Sequence, residues 1–103
     1  MSAPISEKIQ NLITSSPVFV FMKGNPNNPM CGFSANTVRI LEVLDVPFKS
    51  FDILSDPDIR QGVKEFSQWP TYPQIYFQGK LIGGNDILMA MYESGELATL
   101  LKQ

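Results

Sequence analysis

Val18-Phe19-Val20-Phe21-Met22, then Lys23-Gly24-Asn25-Pro26-Asn27-Asn28-Pro29-Met30, then Cys31-Gly32-Phe33-Ser34 and the run on to Leu44 decide the fold of this chain. The first block is β-branched and aromatic, apolar on both faces, which is the pattern of a central strand covered on both sides. In the second block Gly, Pro and Asn break both the helical and the strand period, so it reads as a loop. After Cys31 the chain turns helical, with Val38, Leu41 and Leu44 on one face and Val46-Pro47 ending it. A cysteine thus stands where a strand, a loop and a helix meet.

Working outward, Ile5, Ile9, Leu12 and Ile13 fall at helical spacing before the strand, with Ser2 or Ser6 as candidate caps. Beyond the cysteine helix, Phe48 to Ile53 reads as a second strand. Ser55-Asp56-Pro57 opens a third helix, with proline at a permitted first-turn position and Ile59, Val63 and Phe66 as its buried stripe. Trp69-Pro70-Thr71-Tyr72-Pro73 is a rigid connector. Gln74 to Gln78 and Lys80 to Ile82 flank Gly79 as a hairpin, and Gly83-Gly84-Asn85-Asp86 leads into a helix that Gly95 punctuates. Glu96 to Lys102 adds a last turn or two. Phe19, Phe21, Ile75 and Phe77 read as core. The order α-β-α-β-α-β-β-α predicts an α/β fold: a mixed four-stranded sheet with helices on both faces, one domain over residues 1–103.

With one cysteine and no histidine, the 103-residue chain has no intramolecular disulfide and lacks the usual material of metalloenzymes and acid–base catalysts. A lone cysteine fits a reducing compartment, and the N-terminus has neither the basic nor the apolar region of a secretory signal, so a cytoplasmic protein is expected. The net charge of −2 argues against a nucleic-acid binder, and the longest apolar run, Pro17 to Met22, is too short to span a membrane.

A cysteine at a helix N-terminus faces free N–H groups and the positive end of the helix dipole, both of which favour thiolate. The thiolate is nucleophile and metal ligand alike. The other reading is an inert core cysteine, against which the polar, glycine-containing surroundings argue. Ser34 stands where a Cys-x-x-Cys motif has its second thiol, so an internal dithiol cycle is excluded and exchange with an external thiol, or metal binding, remains.

Phe21-Met22-Lys23-Gly24, a proline-containing loop, Pro29-Met30-Cys31-Gly32-Phe33-Ser34, Trp69-Pro70-Thr71-Tyr72-Pro73-Gln74 and Gly83-Gly84-Asn85-Asp86 follow in an order that resembles the monothiol glutaredoxins of the Cys-Gly-Phe-Ser class, from about Ile5 to Leu101. The resemblance implies a thioredoxin-like fold, a cis peptide at Tyr72-Pro73 facing Cys31, and a site for glutathione. Carried over residue by residue, it gives Lys23 to the glycyl carboxylate or the neighbourhood of a cluster. Arg60 is the better candidate for a carboxylate contact and Lys64 the weaker, the two sharing one helix face. The Tyr72 backbone, with Pro73 beside it, meets the cysteinyl part. Gly84 allows close approach, and the N–H groups of Asn85 and Asp86 take the γ-glutamyl carboxylate, with the Asp86 carboxylate for the ammonium. Taken singly, Lys23, Arg60 and Lys64 also read as solvated surface charges, Asp86 as a plain helix N-cap, and Trp69 as packing. Asn85 departs from the family pattern, in which many relatives have cysteine or serine.

A [2Fe–2S] cluster takes four thiolate-type ligands. One chain has one, so the resemblance implies a cluster bridged between two chains, completed by two glutathione thiolates, or a heterodimer with a BolA-like protein. Ligands that are free tripeptides make such a cluster labile, which suits transfer to apo iron–sulfur proteins, or sensing of iron and redox state. The alternative is a glutathione-dependent thiol–disulfide oxidoreductase with Cys31 as a single nucleophile. The loop from Asn25 to Met30, an insertion in the class, favours the cluster.

Overall fold

The computed structural model describes residues 4–101. The elements run α1 (Ile5–Ile13), β1 (Val18–Met22), β2 (Gly24–Asn25), β3 (Asn28–Pro29), α2 (Gly32–Val43), β4 (Lys49–Asp52), α3 (Pro57–Ser67), β5 (Gln74–Phe77), β6 (Lys80–Gly83), α4 (Asn85–Ser94) and α5 (Glu96–Leu101). The main sheet has the order β4-β1-β5-β6. β1 pairs parallel with β4 and antiparallel with β5, and β5 pairs antiparallel with β6. This is the mixed four-stranded sheet expected from the element order.

All five residues of β1 are buried, because successive side chains point to opposite covered faces. Val18, Val20 and Met22 pack with Val38, Ile40 and Leu41 of α2, Leu88 of α4 and Leu97 of α5. Phe19 and Phe21 pack on the other face with Ile9 and Ile13 of α1 and Ile59 and Val63 of α3. The Phe21 ring meets Phe19 at 5.1 Å and Tyr76 at 5.7 Å between centroids, both edge-on. Burial of each such side chain contributes roughly 1.5–3 kcal/mol, so the two faces together anchor β1 and fix where its C-terminal end delivers the chain.

Four local expectations are corrected. Ser6 does not cap α1: it lies inside the helix, whose N-cap is Pro4 with no side-chain hydrogen bond, while Ser2 is outside the described residues. Phe66 is not part of the buried stripe of α3 but 40% exposed, since Ile59 and Val63 already fill the contact with α1. Asp86 is not an N-cap, because Gly84 holds that position. The stretch after Met22 is not an open loop: β2 and β3 form a two-rung hairpin, Gly24 opposite Pro29 and Asn25 opposite Asn28. Asn25 Oδ1 accepts from the backbone N–H groups of Asn27 and Asn28 at 3.0 and 2.9 Å, closing the turn with a side chain. Asp52, at the end of β4, takes the Gly24 N–H on its Oδ1 at 2.9 Å and ties this hairpin to the sheet. α3 starts as expected, with Pro57 in its first turn and the Asp56 carboxylate capping the N–H groups of Asp58 and Ile59.

Candidate functional site

Cys31 is the N-cap of α2, with extended backbone at φ −154° and ψ 138°. That geometry leaves the first N–H groups of the helix unused by the backbone and turns them on the sulfur. The backbone N–H of Ser34 lowers the thiol pKa most. Desolvation is next in size and raises it, while the Phe33 N–H, the Lys23 charge and the Ser34 hydroxyl lower it further, so the net shift is downward. The thiol is partly exposed, so it meets solvent and ligands as a thiolate-prone group. Ser34 is fully buried, and its Oγ accepts the Lys23 N–H at 3.2 Å. The residue that replaces the second thiol therefore joins the end of β1 to the start of α2.

Facing Cys31, the connector before β5 is held rigidly from below. Fully buried Gln74 donates Nε2 to the Trp69 and Thr71 carbonyls at 3.0 and 3.3 Å and accepts the Tyr76 hydroxyl at 3.0 Å. The Tyr72–Pro73 peptide is cis, as the resemblance implied. The Tyr72 hydroxyl donates to the Arg60 carbonyl at 2.6 Å, so the connector is also fixed to α3. Trp69 packs beside Gly84 and is not among the residues that line the cleft. Its buried indole N–H has no partner among the described residues.

α4 forms the third wall. Asn85, its first residue, is buried, and its Oδ1 accepts from Asn36 Nδ2 at 2.9 Å and Thr37 Oγ1 at 3.1 Å, both on α2. Asp86 follows in the first turn and is exposed. A Cβ on Gly84 would stand 3.5 Å from the Pro73 carbonyl oxygen, so the two backbones run close together at the base of the site.

Between these walls lies a cleft of about 530 Å³, a volume in the usual range for small-molecule sites. Lys23, Cys31, Arg60, Lys64, Tyr72, Pro73, Gly84, Asn85 and Asp86 all line it, so every candidate named from the sequence comes to one place. Phe33, Pro70 and Thr71 also line the cleft and were missed as site residues. Phe33 is 64% exposed, and its place inside the Cys-Gly-Phe-Ser tetrapeptide was the available signal. The hydrogen bonds from Asn36 and Thr37 to Asn85 had no sequence signal, since they join residues 49 and 48 positions apart. The cleft has cations from Lys23, Arg60 and Lys64 and one carboxylate, Asp86. No cluster of three or more metal-ligating side chains occurs among the described residues, and Cys31 is a free thiol.

A sequence profile of the glutaredoxin family matches residues 18–82. The chain belongs to the glutaredoxin family. This glutaredoxin is 47% identical over 102 residues to an uncharacterized monothiol glutaredoxin, ycf64-like, of Synechocystis, covering 99% of this chain and 95% of that protein. It is 52% identical over 99 residues to monothiol glutaredoxin-S11 of rice, Oryza sativa. There the match takes in 96% of this chain but only 20% of the relative. Among solved structures, a buckwheat glutaredoxin–glutathione complex superposes with a TM-score of 0.84 at 25% identity, over 95% of this chain and 87% of that one. The branch is monothiol, in accord with the single cysteine and with Ser34 in the resolving position.

Proposed function

We propose that this glutaredoxin binds glutathione in the cleft with the tripeptide thiol beside Cys31, and that two such complexes share a labile [2Fe–2S] cluster as cargo. The observation that carries the reading is the convergence of three cations, one carboxylate and one activated thiol on a single cleft. Glutathione has two carboxylates, one ammonium and one thiol, and the charges match in kind. Arg60 and Lys23 take one carboxylate, with Lys64 as the outer cation. The free N–H groups at the start of α4 take the other, and Asp86 takes the ammonium. The Tyr72 backbone, fixed against Pro73, runs beside the cysteinyl residue. The buckwheat complex supports a glutathione site on this fold.

Cys31 and the glutathione thiolate then give two sulfur ligands per copy, and two copies complete the set of four. A BolA-like protein is the candidate heteropartner, and apo iron–sulfur proteins are the candidate recipients. The supporting feature is the β2–β3 hairpin, a hydrogen-bonded segment that stands immediately before Cys31 in the chain and is tied to the sheet through Asp52.

The lowered thiol pKa also favours a second reading, deglutathionylation. The Cys31 thiolate would attack the glutathione sulfur of a mixed disulfide and release the protein thiolate. A second glutathione thiolate would then attack the Cys31–glutathione disulfide, giving glutathione disulfide and free Cys31 thiolate. Anaerobic reconstitution with iron and sulfide, with and without glutathione, separates the two. A [2Fe–2S] absorption spectrum that requires glutathione and is lost in Cys31→Ser supports the cluster reading. No cluster under either condition, with rapid glutathione-dependent reduction of a small mixed disulfide, overturns it in favour of the transferase.

A further inference from the structure

Asn85 is a polar side chain with only 9% exposure, and its environment assigns each end of its amide. Oδ1 receives two donors, Asn36 Nδ2 at 2.9 Å and Thr37 Oγ1 at 3.1 Å, while Nδ2 points to Met89 Sδ at 3.7 Å, one turn along α4. Both donors sit on α2, whose N-cap is Cys31, and neither lines the cleft. Thr37 is fully buried. One carbonyl oxygen therefore joins the helix that carries the thiol to the first residue of the helix that forms the opposite wall.

We infer that the Asn85 side chain is a positioning residue for glutathione, acting through the first turn of α4. A ligand that reaches from Cys31 to the start of α4 needs those two points at a fixed separation. Apolar contacts between α2 and α4 are non-directional, whereas two hydrogen bonds to one oxygen fix both a distance and a direction between the helices. The clamp holds the free N–H groups of α4 where a carboxylate from a Cys31-bound tripeptide arrives. The inference rests on the glutathione reading above, and it concerns the amide side chain, not the backbone N–H that the sequence pointed to.

The test follows binding of reduced glutathione to the full chain by NMR titration, with Thr37→Val, Thr37→Ser and Asn36→Ala beside the wild type. Losing one neutral hydrogen bond that acts on the bound state weakens binding about five-fold. The expected result is about five-fold weaker binding in Thr37→Val, a similar loss in Asn36→Ala, and wild-type affinity in Thr37→Ser, which keeps the hydroxyl. The pH profile of Cys31 alkylation stays that of the wild type throughout, because the N-terminus of α2 is untouched. Folded Thr37→Val and Asn36→Ala that bind as tightly as wild type overturn the inference. So does Thr37→Ser as weak as Thr37→Val, which marks packing as the cause, or a displaced alkylation profile, which marks damage to α2. Should Thr37→Val fail to fold, Asn36→Ala, on a partly exposed residue, decides by itself. A wild-type chain that does not bind glutathione removes the underlying reading and this inference with it, and that failure is visible before any variant is compared.

Discussion

Gly24→Ala tests whether the hairpin before Cys31 is a built element. Gly24 has φ +86°, a left-handed conformation that costs an L-residue roughly 1–2 kcal/mol. The added methyl also has nowhere to go. It would overlap the Asn28 carbonyl oxygen and stand 2.7 Å from Met30 Cγ and 2.8 Å from the Met30 backbone nitrogen. Two of these three atoms are backbone, so the hairpin must open instead of a side chain turning aside. Opening gives up the Met30 N–H to Lys23 carbonyl bond at 2.9 Å and loosens the Gly24 N–H on Asp52, also at 2.9 Å. At about 1 kcal/mol for each such bond, the combined loss is about 2–4 kcal/mol, a large part of the ordinary stability of a small domain. Urea unfolding should show a lower midpoint with unchanged slope. Gly32→Ala is the control: a Cβ there meets nothing within 4 Å, and the change should be neutral or stabilising by up to about 1 kcal/mol through the unfolded chain. Gly24→Ala within about 0.5 kcal/mol of wild type, or Gly32→Ala equally damaging, would refute the reasoning.

Ser34→Ala should raise the pH midpoint of Cys31 alkylation, because the hydroxyl that favours thiolate is lost, while the backbone N–H of residue 34 keeps the midpoint below that of a free thiol; an unchanged midpoint would contradict this. Lys23→Gln should raise the midpoint as well, and added salt should shrink the difference between Lys23→Gln and wild type. Gly62→Ala should cost about 1–3 kcal/mol in urea unfolding, since its Cβ would run into Ile5 Cγ2 and stand 3.3 Å from Ile9 Cδ1, where α1 crosses α3. Stability should be intact up to about pH 10 and fall as pH rises beyond it. Burial pushes the Tyr76 phenol up to about 12 and Tyr72 further, so the folded state keeps protons that the unfolded chain releases near 10; a flat melting temperature from pH 9 to 11 would exclude that coupling.

Long periodic segments were legible in the sequence because their signal is local. The apolar run of β1, the stripes of α1 and α2, and the Gly79 turn between β5 and β6 each declare themselves within a few residues. So did the site, through separated motifs that the topology gathers round Cys31. What escaped reading depends on tertiary partners or on elements too short to have a period. β2 and β3 are two residues each, and the Asn25 side chain, not a hydrophobic pattern, closes their turn. Phe66 has the spacing of a buried position, but α1 covers only part of that face of α3. Asn85 reads as a helix-opening polar residue, and only the packing of α2 against α4 makes its side chain a buried acceptor.

The composition of the reconstituted species tests the central claim most directly. Native mass spectrometry of anaerobically reconstituted protein should show two chains with one [2Fe–2S] cluster and two glutathione molecules, as the count of sulfur ligands requires. The species should vanish in Cys31→Ser. A cluster-bearing monomer, or a cluster-bearing dimer without glutathione, would contradict the account, because the four ligands would then have to come from somewhere other than Cys31 and the cleft beside it.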